Sequence, residues 1–221
     1  SSALNNPHTL ITLTTNLSQQ ESINITGWKI EGSRGSFTIP QGVEKYYPSY
    51  ELLSPWQIPL QDIFVRGYEQ LYLSSAVSPL GSGNINFKPN KCFGYLANDY
   101  NFPIYIYKSC PRPSSWDEKY AQELYYFGTD CQRYILNNSG YCEIPEEDDL
   151  PPEIVIDREC VAYLNRNFNY QGCFQRYSSD NDFSNSGWHI YMGAFFNVGV
   201  TDIIYLRDKN GLLVDKYVLF R

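Results

Sequence analysis

DIIYLRDKNGLLVDKYVLF, residues 202–220, is two apolar runs joined by Asp208-Lys209-Asn210-Gly211. Asn-Gly tolerates the positive φ angles of a tight turn, so this stretch predicts a β-hairpin with Asn210 and Gly211 at its tip. A lone hairpin is marginal in water and needs further strands against its apolar face. The first 80 residues offer them. TLITLTTNL (9–17), SINITGWKIEG (22–32), GSFTIPQG (35–42) and GYEQLYLSS (67–75) have the period-two, β-branched and aromatic pattern of strands, and WHIYM (188–192) adds one before the hairpin. Residues 46–62, rich in Pro, Trp and Tyr, read as loop.

Between residues 81 and 185 the period changes. SSWDEKYAQELYYF opens with a Ser115-x-x-Glu118 capping box, TDCQRYILNN with Thr129-x-x-Gln132, and DRECVAYLNRNF follows Asp157 as an N-cap, so three short helices are expected. IPEEDDLPPEI (144–154) reads as a solvated linker. The domain division is therefore 1–80 with 186–221 as the β part, and 81–185 as an insertion.

All six cysteines, Cys92, Cys110, Cys131, Cys142, Cys160 and Cys173, fall in that insertion. An even number in one compact stretch points to disulfides and an oxidising compartment. The spacing favours Cys131 with Cys142 and Cys160 with Cys173, each fastening a helix to its return loop, which leaves Cys92 for Cys110. Six cysteines allow fifteen connectivities, and a bridge between the two helices competes with this pairing. Zinc is not expected, because there is no C-x2-C pair and His8 and His189 lie far from any short cysteine spacing.

The chain has 221 residues, 43% apolar and 19% charged, with 20 tyrosines, which is enough apolar material for a core. A net charge of -7 with no basic run argues against nucleic acid. No apolar run reaches membrane-spanning length, so a soluble chain is expected. It starts at Ser1, and its one methionine is Met192, as expected of a processed product or an excised fragment.

ITGWKI with Gly27 and Trp28, GSFTIPQG with Phe37, Pro40 and Gly42, GYEQLYL with Glu69 and Leu73, and the closing hairpin with Asp202, Leu206, Asp208, Asn210, Gly211, Val214 and Asp215 together resemble the lamin tail domain. SPLGSGNINFKPNKCFGYL (78–96), SCPRP and LNRNFNYQGCF look like the cysteine-rich insertion of a secreted bacterial subset of that family. The resemblance implies a mainly β, immunoglobulin-like antiparallel sandwich framed by Trp28, Phe37 and Leu206, with a helical, disulfide-braced insertion. Phe195 and Phe196 stand where the family often has Trp before the terminal hairpin.

Catalytic signatures are missing. His189 lies on a predicted strand, where a lone histidine is structural by default, and GSG at 81–83 is no nucleophile elbow. Asp180, Asp182, Ser184 and Ser186 alternate before Gly187, a calcium-loop spacing without the distal bidentate Glu of an EF-hand; a polar turn is the expected reading. Glu146 to Asp149 are expected to be solvated. No cofactor is expected. Tyrosines crowd the loops and the insertion, and Tyr95, Tyr105, Tyr107, Trp116, Tyr125 and Tyr126 are the candidates for an exposed contact patch. Sequons occur at Asn16, Asn24 and Asn137.

The expectation is a non-catalytic module, extracellular, periplasmic or on the cell surface. It would contact a protein or envelope component, or a second copy of itself. The alternatives are a glycan- or polymer-binding module that uses exposed aromatics and, further off, a hydrolase with a carboxylate pair.

Overall fold

The computed structural model describes residues 9–81, 83–113, 118–138, 142–143, 145–184, 187–193, 196, 198–199 and 201–220. The chain forms two compact units: residues 1–89, 102–105 and 184–221, and residues 90–101 and 106–183. Residues 81–89 stay with the first unit, since Phe87 is fully buried and bridges to Val43 and to His189.

The described part of the first unit contains nine strands: β1 Leu10–Thr14, β2 Ser22–Asn24, β3 Lys29–Gly32, β4 Gly35–Thr38, β5 Phe64–Arg66, β6 Gln70–Ser74, β7 Trp188–Tyr191, β8 Thr201–Arg207 and β9 Leu213–Phe220. They form three sheets, β1-β6-β7, β2-β5 and β4-β3-β8-β9. One core serves all three. Ile25, Ile30, Ile39, Ile63, Val65, Leu71, Leu73, Trp188, Ile190 and Met192 are buried together, with Trp28, Phe37 and Leu206 packed against them. The first strand of the terminal hairpin joins this core, for β8 pairs with β3 and sets Ile30 against Leu206.

Three strand expectations need correcting. The run 22–32 is two strands, because Thr26-Gly27 turns the chain with Gly27 at φ +84° and Trp28 N–H donating to Ile25 O. β5 follows the 46–62 loop and went unread, being only three residues long. β7 pairs parallel to β6, Leu71 with Trp188, so this sheet is mixed and not antiparallel throughout. The four-stranded sheet is antiparallel throughout.

At the hairpin tip the positive φ expected of Asn-Gly falls on the glycine alone. Only Gly211 has positive φ, +85°; Gly211 N–H donates to Asp208 O and Asp208 N–H to Leu212 O. This is a three-residue loop with a left-handed glycine, and the Asp208 carboxylate accepts from Asn210 N–H and Leu212 N–H. A bulge follows, leaving Val214 without a partner on β8.

The second unit is helical: α1 Phe93–Asp99, α2 Glu118–Leu124, α3 Thr129–Asn138, α4 Pro152–Val155, α5 Arg158–Asn167 and α6 Tyr170–Tyr177. Asp157 caps α5 as expected, its Oδ1 accepting from Cys160 N–H at 3.0 Å. The Ser115 box lies outside the described residues, and Gln132 donates to Phe127 O instead of reaching back to Thr129. Residues 144–154 are not a plain linker: Leu150 and Ile154 are buried, and Pro152 starts α4.

The disulfides join Cys92 to Cys173, Cys110 to Cys142 and Cys131 to Cys160. The expected local pairs are therefore wrong, and the competing bridge between the two cysteine-bearing helices, α3 to α5, is present. Loop-closure entropy describes the unfolded chain alone; which sulfurs meet depends on which helix faces pack. Beside these bridges Glu123 on α2 accepts from both terminal guanidinium nitrogens of Arg176 on α6 (3.2 and 2.7 Å) and from the Tyr163 hydroxyl on α5 (2.8 Å). The unit closes on itself, with Lys91 N–H donating to Phe183 O at 3.0 Å.

Candidate interaction surface

β9 reads LVDKYVLF, apolar on both sides of its pleat, the pattern of a strand covered on both faces. Its position contradicts that pattern. Among the described residues it is the edge of its sheet and pairs with β8 alone, and residues 212–218 are all exposed. Register with β8 sorts its faces. Asp215 lies opposite Leu206 and Tyr217 opposite Ile204, on the core side; Lys216 lies opposite Tyr205 and Val218 opposite Ile203, on the outer side. Tyr217 is 64% exposed even so, because the core ends beneath β8. Asp215 and Lys216 make no ion pair among the described residues, and neither faces an opposite charge on β8.

The neighbouring strand is pinned. Asp202, buried, accepts from Ser33, Gly199 and Ile203 N–H at 2.9–3.0 Å, donors that hold its carboxyl below the usual carboxylate range. On the outer face Arg207 Nε meets Glu31 at 2.8 Å, and Lys29 meets the same carboxylate at 2.6 Å. The ribbon thus stands on a fixed base.

The first unit has nine acidic and nine basic residues, the second fifteen and eight, so the whole net charge of -7 sits in the second unit. What β9 offers is apolar area and unpaired backbone groups rather than a field.

The other candidate residues separate clearly. Tyr125 and Tyr126 are 82% and 83% exposed, with rings 6.0 Å apart at 83°, so they form no coplanar row. Tyr105, in the first unit, and Tyr107, in the second, are also exposed. Tyr95 is a correction: at 4% exposure it lies on the buried side of α1, and burial pushes its hydroxyl pKa up. Trp116 lies outside the described residues, as do His8 and Ser186. Exposed Leu52 and Trp56, on the 3-10 turns of the 46–62 loop, were not singled out from sequence although Pro48 and Pro55 start those turns.

The calcium spacing is occupied by the chain's own cation. Lys91 Nζ lies 3.0 Å from Asp180 and 2.6 Å from Asp182, and this pair of carboxylates is already neutralised in part without a metal. Cys131, Asp157 and Cys160 come close enough for a metal, but the two sulfurs are bonded to each other and Asp157 is a helix cap. His189 is buried against Phe87 and Tyr72; burial pulls its pKa down to about 3, and Nδ1 finds no hydrogen-bond partner among the described residues. Lys88, 1% exposed, pairs with Glu69 at 2.5 Å. The Asn24 amide is engaged by Asp62 and by Thr26 N–H, whereas Asn16 and Asn137 are exposed.

Among the described residues, no helix is long and apolar enough to cross a membrane. Comparison of the chain with protein-family models, with curated proteins and with solved structures returns no match in any of the three.

Proposed function

We propose that this chain is a non-catalytic interaction or structural module that works outside the reducing cytosol, with a lamin-tail-like, immunoglobulin-type sandwich as its first unit. The observation that carries the reading is the run of exposed apolar side chains along β9, with Ile203 of β8 beside it, on a pinned sheet. Contiguous exposed apolar surface on an otherwise well-packed unit marks a place where something else docks. Two further facts support it. The three disulfides suit an extracellular, periplasmic or cell-surface setting. Several ionisable groups that chemistry could draw on are committed: His189 is buried, and Glu69, Glu123, Asp180 and Asp182 are paired with cations. The packing of Trp28, Phe37 and Leu206 on one core supports the lamin-tail-like frame.

The experiment places a photoreactive residue at Val218, and separately at Tyr126, in protein exposed to the surface fraction of its source cells. A glycan array is run in parallel. Protein crosslinks from Val218 with a silent array are expected. Glycan binding that disappears in Tyr125→Ala and Tyr126→Ala, with no protein crosslink, would replace this reading with the carbohydrate one.

A further inference from the structure

We infer that β9 receives an extended segment of another protein as a fifth, antiparallel strand, and that this segment carries an acidic residue followed directly by a basic one. The inference rests on the interaction reading above and names the kind of partner. Every pairing in the β4-β3-β8-β9 sheet is antiparallel, so a strand added at β9 continues the same ladder. Beyond the bulge at Val214, the regular part of β9 runs from Asp215 to Phe220 and sets two charges side by side, Asp215 on the core face and Lys216 on the outer face.

A second copy of the chain does not satisfy them. Two identical edges pair antiparallel about a twofold axis perpendicular to the sheet, which keeps every residue on its own face. Asp215 of one copy therefore never lies opposite Lys216 of the other. Each charge meets itself or an apolar side chain, and mid-strand charges of this kind keep edges apart.

A different strand does satisfy them. Running antiparallel, it meets Lys216 first and Asp215 next, so complementarity demands acid then base in its own chain direction. Apolar residues on both sides of that pair would cover Val214, Tyr217, Val218 and Leu219. Specificity then lies in the order of two charges, and affinity in backbone bonds and apolar cover.

The test uses the intact chain and two synthetic peptides with three β-branched residues on each side of a central dipeptide and serine tails. One carries Glu-Lys in the centre, the other Lys-Glu. Titrations followed by amide NMR are expected to shift residues 213–220 and to show the Glu-Lys peptide binding about fivefold or more tightly. The double variant Asp215→Lys with Lys216→Asp is expected to reverse the preference. Equal affinity for the two peptides, no shift along β9, or a dimer formed through β9 would overturn the proposal. Crosslinks from Val218 without peptide order preference sink strand addition alone; peptide binding without any crosslinked protein sinks the interaction reading alone.

Discussion

The two units reach order by different means. The first has no cysteine: its sheets share one apolar core, and its closing contacts join residues far apart in sequence, Glu31 with Arg207 and Ser33 with Asp202. The second has short helices, six bridged cysteines and a charged and aromatic network around Glu123 and Arg176. Helices of seven to ten residues cannot hold themselves together in water, so cross-links take over the part that a continuous core plays in the other unit. Removing cross-links should therefore harm one unit, and removing core volume the other.

Replacing Cys92 and Cys173 by Ser deletes the bridge that spans 81 residues, a loss of about 4.5 kcal/mol on the chain-entropy account. Hydrogen exchange is expected to quicken in α1 and α6 and to stay unchanged in β3 and β8. Equal loss in both units would show one cooperative block and end the comparison. Ile30→Ala, in the heart of the first core, is expected to cost about 3 kcal/mol in denaturant unfolding, with exchange quickening in β3 and β8 and all three bridges intact by peptide mapping.

Acid should also tell the units apart. The His189 pKa is depressed to about 3 in the folded chain, while an unfolded histidine takes up a proton near its ordinary value of 6.5. The unfolded state then binds more protons between those limits, so stability falls as pH drops from 6.5 towards 3, by about 2 kcal/mol at pH 5. His189→Phe should flatten that slope in the first unit. An unchanged slope would place the proton uptake elsewhere. The smallest effect belongs to Glu123→Gln: its carboxylate is partly exposed, so breaking the Arg176 pair should cost under about 1 kcal/mol, seen as a slight downward shift in the urea midpoint of the second unit.

Legibility followed the range of the deciding contacts. Period-two alternation exposed β1, β6 and β7, and the Asp157 cap marked α5, because those signals are local. Gly27 was visible as a glycine, yet its role in breaking 22–32 depends on Ile39 and Ile63 accepting and donating across the break. Tyr95 looked like surface because α1 went unread, its N-cap being Cys92 rather than a polar residue. Lys91 in the acidic turn was invisible for the same reason as the cystine pairing, since its partners lie about ninety positions along the chain. Nothing in the alternation of β9 indicated that neither face would be covered.

Gly94 has a counterpart in this logic: a methyl group there would stand 2.1 Å from the Cys142 sulfur, so one hydrogen atom's worth of room lets a helix lie against a cystine. The hydrogen bond from Lys91 to Phe183 reaches further. It brings two residues 92 positions apart, near the two ends of the second unit, side by side, which shortens the effective loop that the flanking strands must close. Once its cystines have formed, the inserted segment is already tied off, and β8 can find β3 as though less chain lay between.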